Sequence, residues 1–167
     1  MSLSVTIRNI FLVGILSISC LAAYAQNGSK GMRLNRNVLI KKLTEADSSL
    51  VFKQDTDISL LPNFVATDAN GSRAQLIGKP DELAIVKWTY VFTADEKVNL
   101  AELQKLAWFA NTLGDQEGLD WFFAQLAELG KDYKKPLLEI KMFDSKSKGE
   151  ISYSPKEKVL TITFTPW

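Results

Sequence analysis

Two adjoining stretches decide the architecture: Val86-Lys87-Trp88-Thr89-Tyr90-Val91-Phe92, and residues 99–130, NLAELQKLAWFANTLGDQEGLDWFFAQLAELG. In the first, Val86, Trp88, Tyr90 and Phe92 alternate with Lys87, Thr89 and Val91, the period that puts the bulky side chains on one face of a strand. In the second the apolar period lengthens to that of a helix. Leu103, Leu106, Ala107, Ala110 and Leu113 make one stripe, and Leu119, Phe122, Phe123, Leu126 and Leu129 make another, with Gly114 and Gly130 as stops. Asn99 with Glu102 has capping-box spacing for the first helix, and Asp115 suits the N-cap of the second. So short a link predicts an αα-hairpin or a sharply bent pair.

Strand patterns lie on both sides of this helical block. Upstream, residues 63–67 and 73–77 flank Asp68-Ala69-Asn70-Gly71-Ser72, where Asn-Gly tolerates the positive φ of a tight hairpin turn. Gly78-Lys79-Pro80-Asp81 reads as a further turn. Farther upstream, Val38, Leu39, Leu43, Ala46 and Leu50 recur at helical spacing, interrupted by Asp47-Ser48-Ser49. Downstream, Leu138, Ile140 and Met142 alternate with Glu139, Lys141 and Phe143. A loop over residues 145–149 leads to Ile151 and Tyr153, then to the turn Ser154-Pro155-Lys156-Glu157. Last, Leu160, Ile162 and Phe164 oppose Val159, Thr161, Thr163 and Thr165, which predicts a sheet with one buried face. Strands grouped before and after helices give an α+β fold: a mostly antiparallel sheet with a helix pair packed on one face, a two-layer sandwich. The reading makes residues 37–167 a single domain.

The front of the chain reads differently. Arg8 precedes the uncharged run of residues 10–21, and Ala23-Tyr24-Ala25 has the small-x-small form of a signal-peptidase site. This predicts a secretory signal over residues 1–25, a flexible leader over 26–36, and an exported protein, periplasmic or secreted. The apolar run is shorter than the ~20 residues a membrane-crossing helix needs. Leu16-Ser17-Ile18-Ser19 ahead of Cys20 resembles the lipobox of bacterial lipoproteins, although Ser17 stands where that box carries leucine. The resemblance implies an alternative route, lipid attachment at Cys20, and a membrane association by that route alone. The Ala-Tyr-Ala site fits better.

Composition narrows the chemistry. Loss of residues 1–25 removes one of 20 basic residues and leaves the rest balanced against 19 acidic ones. A neutral domain lacks the clustered basic excess of nucleic-acid binders, so nucleic acid is not an expected partner. Cys20 is the only cysteine and histidine is missing altogether, which removes zinc-type ligand sets and every Ser-His or Cys-His triad. No glycine-rich phosphate cradle occurs; Gly78-Lys79 lacks the rest of a P-loop. Carboxylates remain. Asp55 with Asp57, Asp81 with Glu82 and Asp95 with Glu96 read as turn or element-end acids, since adjacency does not create the opposed geometry that glycoside hydrolysis needs. Asp68-Ala69-Asn70-Gly71 has too few oxygen ligands for a calcium loop, and Ser145-Lys146-Ser147-Lys148 reads as a solvated loop rather than a serine–lysine dyad.

Aromatic residues are the remaining signal. Most of Trp88, Tyr90, Phe92, Trp108, Phe109, Trp121, Phe122 and Phe123 fill a layer between sheet and helices. Trp108 and Trp121 fall toward the flanks of their stripes and Trp167 ends the chain, so these three are the candidate contact residues. The expected function is an exported non-catalytic module that needs no cofactor or metal and binds an envelope or extracellular protein, or a small apolar ligand. The alternative is a carboxylate-dependent hydrolase acting on extracytoplasmic glycans.

Overall fold

A computed structural model describes residues 34–144 and 146–166. The expected signal, Cys20, most of the expected leader, Ser145 and Trp167 therefore lie outside the described residues. Helix α1 is Arg36–Ala46, followed by strands β1 (Lys53–Ile58), β2 (Leu61–Thr67), β3 (Arg73–Lys79) and β4 (Glu82–Val91). Helix α2 runs over Glu96–Lys131 with a break inside it, and β5 (Leu137–Met142), β6 (Ser147–Ser154) and β7 (Val159–Pro166) complete the chain. All neighbouring strands are antiparallel, in the order β1-β2-β3-β4-β7-β6-β5. The last strand thus returns to the sheet's centre beside β4, pairing Trp88 with Ile162 and Tyr90 with Leu160. This is the α+β arrangement expected, with helices over one face of an antiparallel sheet.

Alternation decides which face is covered. Val86, Trp88 and Tyr90 of β4, Leu160, Ile162 and Phe164 of β7, and Ile151 and Tyr153 of β6 are all buried beneath the helices. An edge-to-face chain of rings fills the layer: Trp88 on Phe109 at 5.4 Å, Phe109 on Phe164 at 5.7 Å, and Trp121 on Phe143 at 5.5 Å between centroids. The uncovered face carries Lys87, Thr89, Thr161, Thr163 and Glu150, polar or β-branched residues suited to a solvated sheet surface.

Helix α1 docks by its N-terminus. The Asn35 side chain accepts from the N–H groups of Asn37 and Val38, the Arg36 N–H donates to the Pro80 carbonyl at 2.6 Å, and the Arg36 guanidinium lies 3.9 Å from the Phe64 ring centroid. Leu34 is already buried, so the packed chain begins slightly before residue 37.

Four local expectations are corrected. The N-cap of α2 is Asp95, not Asn99; the Asp95 carboxylate accepts from Lys97 and Val98, and Glu96 lies inside the first turn. Asn99 is buried one turn later and accepts from Tyr90 Oη and the Thr93 N–H. The sharply bent pair is as expected: the bend falls at Asp115, whose φ of 53° and ψ of −157° interrupt the helix, while Gly118 beyond it lets the chain pass so close that a Cβ would lie 2.5 Å from the Ala110 carbonyl. The buried Ser147 hydroxyl donates to the Leu113 carbonyl beside this break at 3.0 Å; residue 147 opens β6 and does not belong to a solvated loop. Residues 53–58, rich in charge and without apolar alternation, form the fully exposed edge strand β1, so Asp55 and Asp57 stand on a strand and not in a turn. Finally, Leu138, Ile140 and Met142 face outward. Their partners are Ser152, Glu150 and Lys148, while Leu137, Glu139 and Lys141 oppose the buried Tyr153, Ile151 and Gly149. The register to β6, not apolar alternation, sets the face of an edge strand.

Candidate functional site

The expected aromatic contact surface is largely internal. Trp121 is only 7% exposed, edge-on to Phe143 and to Phe164. Gly149 on β6 makes room for it, since a Cβ there would lie 3.2 Å from Trp121 Cη2 and 2.6 Å from Phe143 Cε2. Trp108 is half-buried against the core, and Trp167 lies outside the described residues. Trp108 and Trp121 therefore do not combine into one exposed patch.

The carboxylates gather in a place that none of the local pairs indicates. Lys105 Nζ lies 2.6 Å from Asp47 Oδ2, 2.6 Å from Asp68 Oδ2 and 2.7 Å from Glu102 Oε1. Asp68 Oδ1 also accepts from the N–H groups of Asn70 and Ser72, both at 2.8 Å, and so closes the β2–β3 hairpin turn. Glu102 accepts from Asn70 Nδ2 at 2.7 Å and from the Ser72 hydroxyl. Burial works against the Lys105 charge, but its hydrogen bonds to the Asp47, Asp68 and Glu102 carboxylates outweigh it and hold this ammonium above the ordinary lysine range. Burial likewise opposes ionisation of Asp47, and Lys105 and Ser49 overcome it, holding the carboxyl below its usual value. Each carboxylate is in ion contact with Lys105, and three chain segments are tied together: the end of α1, the hairpin and α2. Glu102 could have been found from its spacing to Leu106 and Phe109, which places a carboxylate on a buried helix face.

The other acids are dispersed. Asp81 Oδ1 accepts from Asn35 Nδ2 at 2.6 Å, Asp55 sits 3.6 Å from Arg73, and Asp95 caps its helix. Among the described residues no group of three or more acids, histidines or cysteines is placed to hold a metal ion.

A second charged cluster has the opposite character. Tyr133 and Lys134 in the link after α2, Tyr153 near the end of β6, and Pro155, Lys156 and Lys158 in the β6–β7 turn line a cavity of about 330 Å³. Among the described residues no carboxylate contributes to the lining. Asp132 stands next to the lining and not in it: its side chain accepts the Lys134 N–H at 3.2 Å and pairs with the Lys135 ammonium at 3.1 Å, while the Lys134 charge acts on it only at longer range. Lys134, Lys156 and Lys158 join no ion pair among the described residues. Tyr153 is anchored through its ring, edge-on to Phe92 at 5.9 Å, and burial together with neighbouring Tyr133 pushes its hydroxyl up, keeping it a neutral donor. The Lys158 carbonyl accepts the Phe92 N–H at 2.9 Å, and its backbone has φ of 56°, a left-handed position where glycine is the unstrained choice. These residues escape sequence reading because no spacing rule joins 133–134 to 153–158; the only signal is Tyr-Lys at 133–134 and lysines on both sides of Glu157 in a turn.

No family matches this chain, and neither does any curated protein or solved structure.

Proposed function

We propose that this chain is an exported, non-catalytic binding module for a small anionic ligand, a phosphate or carboxylate carried on an apolar or ring-shaped body. The observation that carries the reading is the convergence of two tyrosines and three lysines, none of them in an ion pair within 4 Å among the described residues, on one cavity whose described lining holds no acid. Ammonium and phenol groups supply donors for an anionic head, while the tyrosine rings and Pro155 offer apolar surface to its body. A cavity of about 330 Å³ suits a ligand of few heavy atoms. The strained backbone of Lys158 supports the same reading, because a lysine stands where a glycine would cost less. The apolar-ligand expectation is thus narrowed: the tyrosines fit it, and the lysines add an anionic requirement. Export rests on the signal pattern of residues 1–25. The hydrolase alternative needs two opposed carboxyl groups beside a substrate, whereas Asp47, Asp68 and Glu102 are taken up by Lys105.

Calorimetric titration with phenyl phosphate at low ionic strength tests this. Saturable binding is expected, at least about tenfold weaker in the double variant Lys156→Glu/Lys158→Glu, with phenol as a non-binding control. Absence of binding, or equal binding by the variant, contradicts the reading.

A further inference from the structure

Strand β5 is an edge, paired on one side with β6 and, among the described residues, open on the other. It is paired without interruption from Leu137↔Tyr153 to Met142↔Lys148, so no bulge twists its free side away. On the uncovered face it presents Leu138, Ile140 and Met142, exposed by 64%, 53% and 49%. On the other face it carries Glu139 and Lys141. The opposite edge of the sheet is protected in the ways natural edges usually are: β1 carries Lys53, Asp55 and Asp57 and its register slips between Asp55 and Ile58.

We infer that β5 pairs with β5 of a second copy of this chain, antiparallel and centred on Ile140, to extend the sheet across a two-fold axis. The order Leu138-Glu139-Ile140-Lys141-Met142 is complementary to its own reverse. Centred on Ile140, each Glu139 faces the other copy's Lys141, each Leu138 faces Met142, and Ile140 faces itself, with apolar residues on one face and opposite charges on the other. Moving the centre to Glu139 sets glutamates opposite each other, and moving it to Lys141 does the same for lysines. Centring between two residues sets charges opposite apolar side chains and turns one copy's sheet over. One register is therefore selected by both charge and face. The inference is independent of the anion cavity.

Sedimentation of the purified full chain over a range of concentrations should show a reversible monomer–dimer equilibrium. Glu139→Lys alone sets like charges opposite one another twice, and so does Lys141→Glu alone; each should weaken self-association by at least about tenfold. Mixed together, the two variants set opposite charges twice, and a heterodimer should form where neither homodimer does. Because Lys141 also lies 2.9 Å from Glu117, circular dichroism of each variant checks that the fold is kept, and Ile140→Lys provides a variant away from that pair. A wild-type chain that stays monomeric at every concentration overturns the inference. So does a dimer indifferent to Glu139→Lys and Ile140→Lys, or a mixture that fails to associate.

Discussion

Two clusters of charge in this molecule use lysine in opposite ways. Around Lys105, two buried carboxylates, Asp68 and Glu102, meet a partly buried carboxylate, Asp47, and a partly buried ammonium, and each charge is met by another charge or a hydrogen-bond donor. Around the Tyr133–Tyr153 cavity, Lys134, Lys156 and Lys158 face shared space with no acid in the lining among the described residues. Charge that is mutually satisfied fixes the relation between chain segments and leaves nothing for a ligand. Charge that converges without partners does little for stability and remains available. The first cluster is therefore expected to dominate stability and the second to dominate binding, and substitutions in the two should separate cleanly.

The largest effect belongs to Lys105→Ala. It strands Asp68 and Glu102, whose carboxylates are buried, and should lower unfolding free energy by about 3–5 kcal/mol in urea titration. Phenyl phosphate affinity of the folded fraction should not change; a parallel loss would merge the two clusters and break the comparison. Next comes alkaline pH. Burial, with Glu102 and Asp68 nearby, pushes the Tyr90 hydroxyl from 10.0 up to about 12. A raised folded-state value means that this contribution is fully present below pH 10.0 and is lost as pH rises toward 12. The loss is about 2–3 kcal/mol by the linkage relation, and Tyr90→Phe should flatten this part of the pH–stability curve. At the acid end, the depressed Asp47 carboxyl gives the opposite sign: its contribution holds above pH 3.8 and disappears as pH falls through its lowered value. Smaller again is Lys158→Gly, which relieves the left-handed backbone and should raise stability by about 0.5 kcal/mol while weakening anion binding. Such opposed signs would sharpen the comparison; a destabilised Lys158→Gly would place that lysine among the structural charges. Smallest is Lys156→Glu, at an exposed turn, where a change in unfolding free energy within about 0.5 kcal/mol of zero is expected in urea titration beside a clear loss of affinity.

The legible parts of the sequence were those in which one periodicity met one environment. Val86 to Phe92 and residues 160–164 alternate because one face of each strand is covered, and the Asp68–Ser72 turn announces itself through Asn-Gly. Strands at the edges broke the rule. In β1 both faces are exposed, so no alternation marks it, and in β5 an apolar alternation points away from the core because its pairing with β6 decides the face. Trp121 looked peripheral by helical spacing, yet the bend at Asp115 and the space left by Gly149 bring it inside. Both charged clusters join residues distant along the chain, Asp47 with Lys105 and Lys134 with Lys156, and no local pattern records such a meeting.

The most direct test of the central claim is a two-dimensional amide NMR titration of the folded chain with phenyl phosphate, at low and high salt. Saturable shifts are predicted at amides 132–134 and 153–158, weakened by salt and lost in Lys156→Glu/Lys158→Glu, with the amides around Lys105 unmoved. Shifts spread over the surface, or persisting in that variant, would contradict the account.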